Sequence, residues 1–124
     1  MKNIFLFYIA LVLSCQLYAQ DISSVSKKAQ DLWKEGVSLL DIDRNKGLSL
    51  LLKSLDLSKE VLADDQIPEY VESCLYLGRS YMNYGMYEET ESLYLSAIEW
   101  LNNKGYYDAD LYDVEREFDL TIND

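Results

Sequence analysis

A chain of 124 residues has room for one domain. It contains no histidine, which removes the usual general base and the usual zinc ligand. Its formal net charge of −11 repels phosphate backbones and argues against nucleic acid as a partner. The acid is concentrated late, since residues 20–60 carry seven basic and seven acidic side chains, while 61–124 carry three basic and fifteen acidic ones. Such a surface serves solubility first and would attract basic partners second.

In chain order, the first element is a leader. Lys2 supplies a positive charge, residues 4–13 form an unbroken apolar run, and Leu17-Tyr18-Ala19 ends in a small residue. That is the order of a cleavable secretory signal, expected over 1–19 with the cut between Ala19 and Gln20. The apolar run has ten residues, well short of the roughly 20 a membrane span requires. An exported, periplasmic or secreted domain over 20–124 follows, with no membrane span after signal removal. One alternative stays open: Val12-Leu13-Ser14-Cys15 resembles a lipoprotein signal, in which Cys15 would carry a lipid anchor. If Cys15 leaves with the leader, Cys74 is the single thiol. An internal disulfide is then out of reach and the domain must hold by packing alone.

The next unit spans about 28–62 and contains the acidic segment DIDRNKG at 41–47. Asp41, Asp43 and Asn45 stand at alternate positions, as in a helix–loop–helix calcium site. Such a loop also needs glycine at its sixth position and a bidentate glutamate at its twelfth. Lys46 and Leu52 stand there instead, and Arg44 adds a second positive charge. The segment therefore reads as a corner between two helices, where Asp and Asn bond to nearby backbone.

A second unit covers about 68–104. Tyr70, Cys74, Leu77 and Tyr81 recur three or four apart along one helix face, with Pro68 suited to the first turn. Gly85 breaks the pattern, and Tyr87, Thr90, Tyr94, Ala97, Ile98 and Leu101 resume it up to a stop at Asn103-Lys104-Gly105. The two units superpose when the sequence is slid by 42 residues, which brings Gly36 onto Gly78, Leu39 onto Tyr81, Leu51 onto Leu93, Leu52 onto Tyr94 and Leu55 onto Ala97. A third, half unit at 108–124 places Leu111, Val114, Phe118 and Ile122 on one side of a helix. Its opposite side is acidic, the pattern of a terminal cap.

The stretch CLYLGRSYMNYGMYEETESLYLSAIEWL, with Leu77-Gly78-Arg79-Ser80-Tyr81 at its centre, resembles a tetratricopeptide repeat. Gly85 matches that family's turn, Tyr94 its second-helix aromatic and Ala97 its small packing position. The 42-residue period, with Gln66-Ile67-Pro68-Glu69-Tyr70 ahead of the helix, is similar to the longer kinesin-light-chain type found in arrays of bacterial exported proteins. The resemblance covers roughly 28–122 and is closest over 70–101. The first copy departs from it, with Glu35 standing where Leu77 does and bulky Leu48 and Leu55 at positions the family keeps small.

What the resemblance implies is an all-α fold, a short α-solenoid of antiparallel helix hairpins with about two repeats and a C-terminal capping helix. It also implies a concave groove lined by the first helix of each pair. Carried across from Gly36, the groove positions are Gln30, Trp33, Val37, Leu40 and Asp41; from Gly78 they are Glu72, Leu75, Arg79, Met82 and Asn83. Trp33, Leu75 and Met82 would grip an apolar side chain and Arg79 a carboxylate. Trp33 and Leu75 also fit a plain packing role against the neighbouring unit.

No catalytic constellation accompanies this. The carboxylate pairs Asp64-Asp65 and Glu88-Glu89 are adjacent and do not face each other on a helix. The serines lack a histidine base, no glycine-rich phosphate loop is present, and Cys74 lies on an apolar stripe. The expectation is a non-catalytic scaffold without cofactor or metal that binds a protein or peptide partner. The alternative is the leading repeat region of a larger exported enzyme or membrane signalling protein.

Overall fold

The computed structural model describes residues 2–107, 109, 112, 113 and 116, and the side chains of these other than 2, 3 and 14–20. Of Cys15, Ala19 and Gln20 only the backbone is described, and the cap positions Leu111, Val114, Phe118 and Ile122 lie outside the described residues. Among the described residues every regular element is helical. They are α1 (Lys2–Leu39), α2 (Arg44–Val61), a 3₁₀ turn (Asp64–Gln66), α3 (Ile67–Asn83) and α4 (Tyr87–Asn103). Successive helices pack on one another in chain order, giving a helical repeat-like fold.

α1 has two regions of different character. Over 4–13 every side chain is exposed, including Phe5, Phe7 and Tyr8, so this arm stands clear of the core. Among the described side chains, packing is first seen at Ile22 and Val25 and is complete at Ala29. From there α1 lies against α2, and the two backbones meet at glycines. A Cβ added to Gly36 would stand 2.9 Å from the Gly47 carbonyl, and one added to Gly47 would stand 2.8 Å from the Gly36 carbonyl. Only hydrogen at both positions permits so close a crossing. Further along the same seam, Ser54 Oγ donates to the Ala29 carbonyl, 2.5 Å away.

The corner between α1 and α2 is the acidic segment. Asp43 is the N-cap of α2, its Oδ1 accepting the Lys46 N–H at 3.3 Å. Its own N–H reaches back to the Leu39 carbonyl at 2.7 Å. DIDRNKG is thus a helix corner in which the aspartate satisfies a backbone donor that the helix start leaves free.

α3 starts after the 3₁₀ turn with Pro68 in its first turn, as the pattern predicts. It ends where Gly85 takes φ +75°, which lets the Met86 N–H return to the Tyr81 carbonyl at 2.8 Å. α4 then crosses α3 at Gly78, where the Tyr94 phenol occupies the space a Cβ would need. Thr90 Oγ1 donates to the Gly78 carbonyl at 3.1 Å at the same crossing. α4 stops at Gly105, also at φ +75°, with the Tyr106 N–H bonded to the Leu101 carbonyl at 2.9 Å. Leu51, Cys74, Leu77, Tyr94 and Leu101 are the most deeply buried side chains of one continuous core.

The internal correspondence differs from a uniform slide of 42. For the first helix of each pair that offset holds, with Ala29 on Val71, Trp33 on Leu75 and Gly36 on Gly78, matched in burial. For the second helices the offset is one residue more. Gly47 takes the place of Thr90, Leu51 of Tyr94, Ser54 of Ala97 and Leu55 of Ile98, all buried. Under the uniform slide Leu52, 37% exposed, would have matched Tyr94, which is 0% exposed. Leu48 and Leu55 therefore do not occupy the small positions at the crossing; Gly47 and Ser54 do. The additional residue falls between Tyr81 and Tyr87: α3 runs on to Asn83, whereas α1 stops at Leu39, the counterpart of Tyr81, and the bend 84–86 is shorter than the bend 40–43.

Candidate docking cleft

α1 and α3 meet through side chains. The Trp33 and Tyr76 rings touch with centroids 5.6 Å apart and planes tilted by 54°. Next to this contact a cleft opens between α1 and the start of α3, floored by α2. It encloses about 290 Å³, near the lower end for small-molecule pockets and of a size for one large side chain. Ser26, Gln30, Trp33 and Lys34 come from α1, Ser54, Leu55 and Ser58 from α2, and Glu69, Tyr70 and Ser73 from α3.

Three serine hydroxyls of the lining are already committed to backbone. Ser54 Oγ donates to the Ala29 carbonyl, Ser58 Oγ donates to the Ser54 carbonyl at 2.8 Å, and Ser73 Oγ donates to the Glu69 carbonyl at 3.0 Å. Each hydroxyl has one proton to give and has given it to backbone, so toward the cleft it has only lone pairs to offer.

The groove positions expected from the repeat fall into three groups. Gln30 and Trp33 line the cleft. Trp33, Leu40 and Leu75 pack against the core as partly buried residues, and Met82 is half-buried. Val37, Asp41, Glu72, Arg79 and Asn83 are exposed and lie outside the cleft lining. The repeat pattern places the groove on the first helices alone, and so it misses the floor from α2 and the wall residues Ser26, Lys34, Glu69, Tyr70 and Ser73. A signal for the floor is present in the chain: Ser54 and Ser58 stand one turn apart beside the apolar stripe of α2, polar where a plain core helix would be apolar.

Several further tyrosines find structural partners. Arg44, at the first corner, lies over the Tyr84 ring at the second with 3.9 Å to its centroid, tying the two corners together. Tyr107 stacks on Tyr112 at 4.7 Å, and the Tyr112 hydroxyl donates to Asn102 Oδ1 at 2.7 Å. Tyr70 packs on Trp100 with centroids 5.0 Å apart. Cys74 is wholly buried one turn from Tyr70, and burial pushes its thiol up to about 11. It is a neutral packing group at physiological pH. Among the described residues no three His, Cys, Asp or Glu side chains gather in a way that could hold a metal ion.

No helix of the described residues is long and apolar enough to cross a membrane. Comparison of the chain with known protein families, with characterised proteins and with solved structures gives no match.

Proposed function

We propose that this chain is an exported, non-catalytic scaffold module, a short α-solenoid of the tetratricopeptide type that docks a protein or peptide segment in the cleft between α1 and α3. The observation that carries this reading is the cleft itself: an open slot between two helix pairs of like build, with a half-buried tryptophan on its wall. A half-buried aromatic beside an open slot is the kind of group that anchors a partner's side chain.

Two further observations support it. Once the second helices are compared at their own offset, both crossings carry small or hydroxyl-bearing residues, Gly36 with Gly47 and Gly78 with Thr90. At that offset Leu48 and Leu55 no longer stand at the small positions, while Glu35 still departs from the pattern, exposed where Leu77 is buried. The side chains of 4–13 are all exposed and do not pack on the domain, which suits a leader removed at Ala19–Gln20.

A photo-crosslinking amino acid at position 30, compared with one at the exposed Glu91 on α4, tests the docking site in cells that export the protein. Adducts from position 30 alone are expected, and equal adducts from both positions would overturn it. Fractionation of the full chain beside a Cys15→Ala variant tests the export route. Release of the soluble domain from both is expected, and membrane retention lost only in the variant would establish the lipid anchor instead.

A further inference from the structure

The two charged side chains that line the cleft have opposite signs and stand on opposite walls, Lys34 on α1 and Glu69 on α3. Among the described residues no ion pair joins them to each other or to a third group. Asp64 and Asp65, in the turn that leads into α3, add negative charge on the Glu69 side. The slot between the walls holds Trp33, Leu55 and Tyr70 as its apolar surfaces, and Ser54, Ser58 and Ser73 offer it acceptors only.

Resting on the docking function proposed above, we infer that the cleft recognises an extended peptide segment of a partner that carries one bulky apolar side chain between two opposite charges. The apolar side chain enters the slot beside Trp33. The partner's cation faces Glu69 and its carboxylate faces Lys34. Peptide N–H groups along the segment supply the donors that the serine lone pairs accept. Charge of one sign alone would meet attraction at one wall and repulsion at the other, so a partner bearing both signs in this order is favoured, and the charges fix its direction in the groove.

The test is calorimetric titration of the full chain with synthetic heptapeptides built on glycine. Each has a central phenylalanine, with lysine two residues to one side and glutamate two residues to the other, made in both orders. The tighter order is then compared with its Lys→Ala and Glu→Ala versions. The expected result is a loss of about two- to five-fold for each replacement. The loss from the peptide lysine disappears in Glu69→Gln, and that from the peptide glutamate disappears in Lys34→Met. Both positions are exposed, so these variants keep the fold, as circular dichroism verifies. If the peptides bind but the charge replacements act equally in wild type and variants, the charge pairing is overturned while cleft docking stands. If no peptide of the panel binds, the inferred peptide recognition is overturned, and docking in the cleft is decided separately by the crosslinks from position 30.

Discussion

Tyr94 lies across Gly78, its phenol in the place where any other residue would carry a Cβ. The glycine allows α4 to come down on α3, and the tyrosine fills the wedge that closeness leaves. Gly78→Ala is expected to destabilise the fold by about 1–3 kcal/mol through overpacking. This is a net cost, since alanine itself favours a helix by roughly 1 kcal/mol. Urea unfolding checks it, and Tyr94→Leu in the same chain should recover part of the loss. Strictly additive losses would show that the two residues do not meet at this crossing.

At the other crossing the obstacle is backbone. An added methyl at Gly47 meets the Gly36 carbonyl, which has no rotamer to turn aside. Gly47→Ala should therefore cost at least as much as Gly78→Ala, and no single side-chain change should rescue it. Gly85 offers a contrast, because its surroundings are open and only its φ of +75° resists a side chain. Gly85→Ala should cost about 1–2 kcal/mol, and Gly85→Asn less, since asparagine tolerates that region better. Thermal melts of the three alanine variants give the ranking directly.

Asp43 and Asp41 make different predictions according to what the corner does. As an N-cap, Asp43→Ala should cost about 1 kcal/mol, whereas Asp41→Ala should be near neutral because that residue is exposed. Asp43→Ser should retain most of the cap. Were the segment a calcium loop, both aspartates would matter alike and calcium would raise the melting temperature. Melts of these variants with and without calcium decide between the two.

Alkaline pH should loosen the fold in a defined window. Burial raises the Cys74 thiol from 9.0 to about 11, so the unfolded chain releases this proton first. The contribution is whole below pH 9 and falls away as pH climbs toward 11, by roughly 2–3 kcal/mol in all. Buried Tyr70, Tyr81 and Tyr94, each raised by desolvation first of all, extend the loss above pH 10. Cys74→Ala costs stability at neutral pH but should flatten the decline of the urea midpoint between pH 9 and 10. An unchanged slope would assign that decline elsewhere.

Much of the architecture is legible in the chain because the apolar spacing is regular and its interruptions are strong. Pro68, Gly85 and Gly105 mark boundaries by backbone constraint, and the structure places its helix ends beside them. The cleft is half legible. Trp33 and Gln30 follow from the repeat positions, but the α2 floor depends on where α1 and α3 stand apart, which no local pattern encodes. Tyr76 and Tyr84, which stand outside the apolar spacing, sit in contacts between units, Tyr76 on Trp33 and Tyr84 under Arg44. Such pairings join residues some forty positions apart and leave no trace in either neighbourhood.

The additional residue between Tyr81 and Tyr87 has a wider consequence. Placed inside α4, it would have advanced the rest of that helix by about 100° and swung Tyr94 out of the seam. Taken up outside the helix, it leaves the angular phase of α4 untouched. The end of a first helix and the bend behind it therefore act together as a slip joint: chain length can be gained or lost there while the next rod keeps its facing, and a repeat of fixed period is the wrong ruler for comparing its parts.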